Sequence, residues 1–86
     1  MYQIILSKKA TEQKKYLKAS KLDGKAKALL NILSEDPYKN PPPYEKLIGD
    51  LHGLYSRRIN QKHRLVYEVL DDERIVHVLS MWTHYE

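Results

Sequence analysis

All four prolines of this 86-residue chain fall between Pro37 and Pro43, three of them consecutive at Pro41-Pro42-Pro43. Proline has no backbone N–H to give to a helix interior or a central strand, so this segment reads as a stiff, exposed connection. It divides the chain into halves of different periodicity. Before it, residues 2–6 are β-rich, Ser7 is placed to cap a helix over residues 8–20, and Asp23-Gly24 reads as a break. Ala10, Leu17 and Tyr16 would form the apolar stripe of that helix. A second helix then runs to about Glu35, with Ala26, Leu29, Leu30 and Leu33 at three- and four-residue spacings. After the prolines come a short element at 44–47, a loop with Gly49 and Gly53, and candidate strands at 54–59, 65–70 and 75–82. The turns between these strands fall at 60–63 and 71–74.

Neither half is long enough to bury a core alone, so the prolines mark a hinge inside one domain rather than a linker between two. The expected architecture is α+β, with two N-terminal helices packed on one face of an antiparallel sheet of about four strands. Seven Tyr and one Trp, with no Phe, supply the bulk of the core. The absence of Cys excludes disulfides, thiolate zinc sites and a cysteine nucleophile, and fits a reducing cytoplasm. The longest apolar runs, such as Ile4-Ile5-Leu6, fall far short of the ~20 residues that cross a bilayer, and no signal-like N-terminal region is present. A cytoplasmic protein without a membrane partner is therefore expected.

The net charge of +4 hides a segregated distribution. Residues 1–27 hold eight Lys against Glu12 and Asp23, and residues 56–64 hold Arg57, Arg58, Lys62 and Arg64 with no acid. Acids outnumber bases in both remaining stretches. Clustered cations gain from releasing the counterions of a polyanion, so Lys8, Lys9, Lys14, Lys15 and Lys18 have two readings: a nucleic-acid contact or a solvated helix face. In the strand around Val66, Leu65, Tyr67 and Val69 alternate with Arg64, Val66 and Glu68, giving one apolar face and one charged face. If the preceding turn has three residues, Arg58 and Arg64 lie opposite each other on neighbouring strands. Two guanidiniums side by side destabilise a sheet unless an anion joins them. The competing reading pairs them with Glu68 or Asp72 in exposed ion pairs worth ~0–1 kcal/mol.

No phosphate loop, dinucleotide fingerprint or local His-rich metal motif occurs, and no cofactor is expected. One acid (Glu45), three strand arginines and the His84-Tyr85 pair remain. Together they are the parts for metal-free RNA cleavage: a base takes the ribose 2′-OH proton, arginines hold the charge on phosphorus, and an acid protonates the departing 5′-oxygen. His63 reads as a turn residue, and Tyr67 and Trp82 as core.

The run Tyr55-Ser56-Arg57-Arg58-Ile59-Asn60-Gln61-Lys62-His63-Arg64-Leu65-Val66-Tyr67, followed by His84-Tyr85, resembles the Txe/YoeB toxins of the RelE superfamily. The resemblance extends over the whole length, including the prolines before Glu45-Lys46-Leu47. It implies a microbial-ribonuclease-like α+β fold, cleavage of mRNA in the ribosomal A site, and inhibition by a YefM- or Phd-type antitoxin. Operator DNA would be bound only through the antitoxin complex, and some members of the family form homodimers. By the same resemblance Glu45 matches the general base, His84 the general acid, Arg64 the principal phosphate-binding arginine, Arg58 a second one, and Tyr85 an aromatic beside the scissile phosphate. Arg57 has no such role and stands with Lys46 and the helix lysines as a candidate RNA contact. Two departures from the family pattern are present. Ile48 stands where relatives often carry a lysine, so its help would have to come from Lys46, and Glu86 adds a carboxylate beside His84.

A free Glu is ionised near pH 7 and a free His mostly neutral, which suits the base and not the acid. Bound RNA would raise the affinity of His84 for its proton. The rival function is a non-catalytic nucleic-acid-binding component that uses the same basic stretches. A purely structural subunit leaves the paired arginines unexplained.

Overall fold

The computed structural model describes the backbone of residues 1–84 and the side chains of residues 1–82. The chain runs β1 (Gln3–Leu6), α1 (Lys8–Ala19), α2 (Asp23–Glu35), β2 (Glu45–Lys46), a 3-10 turn (Gly49–Leu51), β3 (Tyr55–Arg58), β4 (His63–Leu70) and β5 (Ile75–His84). Ser7 caps α1 as its sequence position predicts. Its Oγ accepts from the Ala10 N–H at 3.0 Å and donates to the Leu79 carbonyl at 2.9 Å, which joins the helix start to β5.

Helix α1 buries Ala10, Gln13 and Leu17, while Tyr16 is nearly half exposed. Gln13 carries no hydrophobic signal, yet its Oε1 accepts from the Met81 N–H (2.7 Å), the Trp82 N–H (3.1 Å) and the Ser80 hydroxyl (3.2 Å). One amide thus fixes the helix to a strand. The break expected at Asp23-Gly24 lies earlier, where Lys21 adopts a left-handed φ of 59°, and Asp23 opens α2 instead. An acid in the first turn complements the helix dipole, which favours this start.

The sheet has five strands in the order β1-β5-β4-β3-β2. The count is close to the four or so strands expected; the antiparallel expectation is corrected at one edge, where β1 pairs parallel to β5 with Gln3 opposite Ile75. Nothing local to residues 3–6 shows their partner, because it lies some seventy residues on. Pairing of β4 with β5 is irregular between Arg64 and Tyr67, a bulge of the kind that re-aims side chains. Both helices cover one face. The core there comprises Ala10, Leu17, Ala26, Leu29, Leu33, Ile59, Leu65, Tyr67, Val76, Val78 and Met81.

The proline segment is less exposed than its composition predicts. Pro37 is fully buried, and the Tyr38, Tyr44 and Tyr55 rings pack against one another with centroids 5.7–6.4 Å apart. Asp71, in the β4–β5 turn, accepts from the Tyr2 hydroxyl at 2.9 Å and the Tyr38 hydroxyl at 2.8 Å, tying the first strand and the proline segment to one carboxylate. Burial and this hydrogen bond both push the Tyr38 phenol well above its ordinary range. Burial also raises the Tyr67 phenol, against the opposing pull of Arg57.

Candidate active site

The face of the sheet away from the helices carries Glu45, Arg58 and Arg64. In the β3–β4 hairpin, Asn60 Oδ1 accepts from the Lys62 and His63 N–H groups at 2.9 and 2.7 Å, an Asx-type closure. The resulting register sets Arg58 directly opposite Arg64 and Ser56 opposite Val66, as a three-residue turn requires. On the outer edge of β3, β2 sets Glu45 opposite Ser56. Strand alternation then puts Glu45, Ser56, Arg58 and Arg64 on one face.

These residues meet. Arg64 is 3% exposed; its Nη1 donates to Ser56 Oγ at 3.0 Å and its Nη2 donates to Glu45 Oε1 at 3.2 Å. The Glu45 side chain is 53% exposed and open to a ligand. Pro42, Pro43, Tyr44, Glu45, Ser56, Arg58 and Arg64 line a cleft of about 90 Å³. The pairing with Glu68 or Asp72 does not form for Arg64. Glu68 lies 3.1 Å from His77 Nδ1 instead. Ser56 was not singled out in the sequence, although it shares the parity of Arg58 along β3 and stands in the same motif.

Other expected residues lie elsewhere. Arg57 is corrected as an RNA contact: it is 1% exposed and its guanidinium is spent on internal acceptors on the helix-side face. Neighbouring strand residues point oppositely, so Arg57 and Arg58 have different fates. Lys46 is exposed, pairs with Tyr55 on the alternate side of β2 and is not among the residues that line the cleft. His63 is corrected from a turn residue to the first residue of β4, where its buried ring stacks on Trp82 with centroids 3.7 Å apart. The helix lysines Lys8, Lys9, Lys14, Lys15 and Lys18 are all exposed on α1. Lys14 and Lys18 border a larger, mainly apolar groove of about 410 Å³ between the helices, lined also by Leu6, Leu17, Asp23, Leu30 and Met81 and by none of the residues of the cleft.

The backbone of His84 lies in β5 opposite His63, one position beyond Thr83, the partner of Arg64. Its side chain, Tyr85 and Glu86 lie outside the described residues. Among the described residues no group of three or more His, Asp or Glu could hold a metal ion, and no helix is long and apolar enough to cross a membrane.

Residues 7–85 match the family described as YoeB-like toxin of bacterial type II toxin-antitoxin system. The chain belongs to this YoeB-like toxin family. Toxin YoeB of Streptomyces coelicolor is 44% identical over 48 residues, 56% of this chain and 57% of that protein, so the match spans little more than half of the relative's length. A YoeB-YefM toxin-antitoxin heterotetramer from Staphylococcus aureus contains a chain 35% identical to this one, with a TM-score of 0.80 over 99% of both chains. The Staphylococcus aureus YoeB dimer gives 0.79 at 35% identity over 98% of each. The likeness to these YoeB chains thus extends over nearly the whole length of the fold.

Proposed function

We propose that this protein is a ribosome-dependent endoribonuclease that cuts mRNA in the ribosomal A site and so inhibits translation. The reading rests on one arrangement: a carboxylate, Glu45, 3.2 Å from the guanidinium of Arg64 at the mouth of a cleft that Arg58 also lines. A phosphodiester entering the cleft competes with Glu45 for Arg64 Nη2. Its displacement turns the carboxylate toward the ribose 2′-OH. Glu45 takes that proton, the 2′-oxygen bonds to the adjacent phosphorus, and the bond to the 5′-oxygen breaks as His84 supplies a proton to the leaving group. The products are a 2′,3′-cyclic phosphate and a 5′-hydroxyl. Arg64 and Arg58 hold the charge that builds on the phosphoryl oxygens, with Tyr85 beside the scissile phosphate.

The exposed lysines of α1 dock the protein on ribosomal RNA. A YefM-like antitoxin of the Phd type neutralises it in the cytoplasm, operator DNA is met only through that complex, and the toxin forms homodimers. The YoeB-YefM and YoeB dimer structures support the antitoxin and the homodimer. Primer extension on translated mRNA tests the reaction. Wild-type protein yields defined cuts in the A-site codon, and Glu45→Ala, Arg64→Ala and His84→Gln each remove most of that cutting. RNA binding without any cutting by the wild type would overturn the enzyme in favour of a non-catalytic nucleic-acid-binding role.

A further inference from the structure

Arg57 is the largest fully buried side chain of the described residues, and no carboxylate among them pairs with it. A guanidinium out of water without a counter-charge is costly, so what it touches matters. Nη1 donates to the Pro42 carbonyl at 2.6 Å, Nη2 donates to the Pro37 and Lys39 carbonyls at 3.0 and 2.8 Å, and Nε donates to the Tyr67 hydroxyl at 3.2 Å. The Tyr67 hydroxyl in turn donates to the Pro37 carbonyl, and the Tyr44 ring lies 5.0 Å from the guanidinium carbon. Three of the four acceptors are carbonyls of the proline segment, which has no strand or helix of its own to organise them. That segment continues as Pro42, Pro43 and Tyr44, one wall of the cleft, and ends at Glu45.

We propose that Arg57 is a positioning residue for the reaction: by clamping the carbonyls of residues 37–42 from the helix side, it sets the cleft wall and holds Glu45 against Arg64. This rests on the endoribonuclease reading for its kinetic consequence, but not for its structural one. A forked, permanently charged donor suits three carbonyls at fixed angles, which a flexible ammonium does not reproduce. Two adjacent arginines therefore act on one site from opposite faces of β3, Arg58 from the cleft and Arg57 from behind it.

The test uses Arg57→Met, with Tyr67→Phe as a variant that removes only the shared hydroxyl if the first does not fold. Positioning predicts turnover lower by about 100-fold in Arg57→Met, the scale of an ångström-sized misplacement, with KM and the salt dependence of RNA affinity unchanged. It also predicts no further loss when Arg57→Met is added to Glu45→Ala. A salt slope smaller by about 1, with turnover intact, would make Arg57 a phosphate contact and overturn the proposal. Additive loss with Glu45→Ala would overturn it too. Nuclear Overhauser contacts between the Glu45 and Arg64 side chains give a readout independent of activity. They are lost in the variant, and in Tyr67→Phe weakened, if Arg57 positions Glu45; their persistence refutes the proposal even if the wild type proves unable to cut RNA.

Discussion

Arg58 and Arg64 stand directly opposite each other on antiparallel strands, and only Arg64 has a carboxylate partner among the described residues. Like charges so placed repel, so the free protein holds this pair against a small cost of ~0.2–1 kcal/mol, softened by the exposure of Arg58. Arg58→Ala should therefore leave the free protein as stable or slightly more stable, while weakening its affinity for a phosphodiester. Thermal melts with and without added polyanion check both signs: the melting temperature of the wild type rises more on addition than that of the variant.

Glu45→Gln keeps the shape and one acceptor oxygen but cannot take a proton. Cleavage is expected to fall by ~10²–10⁴-fold, the usual contribution of a positioned base. Stability should change little, because the ion pair with Arg64 is more than half exposed on the carboxylate side. Single-turnover cleavage on programmed ribosomes, beside a urea melt, separates the two effects.

Gln13→Leu replaces an acceptor shared by three donors with an apolar group of similar size. The backbone of β5 loses a buried partner, and destabilisation of ~1–3 kcal/mol is expected from urea unfolding. Activity at a temperature where the variant stays folded should fall as well, since the affected residues lead into His84.

Reversing several charges on α1, at Lys8, Lys9, Lys14, Lys15 and Lys18, should weaken ribosome binding and flatten its salt dependence without altering cleavage at saturation. Unchanged affinity would return these lysines to a solvated helix face.

Stability should decline in alkali. Tyr38 and Tyr67 have phenols raised above the ordinary 10.0, so an unfolded chain loses these protons before the folded one does. The folded state then binds more protons, and stability, fully present below pH 10, falls as the pH rises past it. Thermal melts between pH 8 and 11 read the slope, which Tyr38→Phe or Tyr67→Phe should make shallower.

What was legible in the sequence was what local rules control. Ser7 capped α1, the spacing of Ala26, Leu29 and Leu33 described α2, and turn length alone set Arg58 against Arg64. That Glu45 lies beside Arg64 was not legible, because a two-residue strand has no periodicity to read. The burial of Gln13 and Arg57 has no sequence signal, for one reason. Polar side chains count as surface until the fold supplies buried acceptors or donors, and here these come from residues up to 69 positions away. The parallel pairing of β1 was hidden by the same distance.

The sheet order has a consequence for timing. β5 lies between β1 and β4 and is the last strand in the chain, so a nascent polypeptide still lacking residues 75–84 has β1 without its partner and β4 with a bare edge. Contacts between the first and last strands close only after every intervening residue has been made, and such non-local pairing is slow. The cleft inherits that delay, since Arg64 lies on the strand that β5 completes. The cleft is therefore completed only once synthesis has passed the residues of β5.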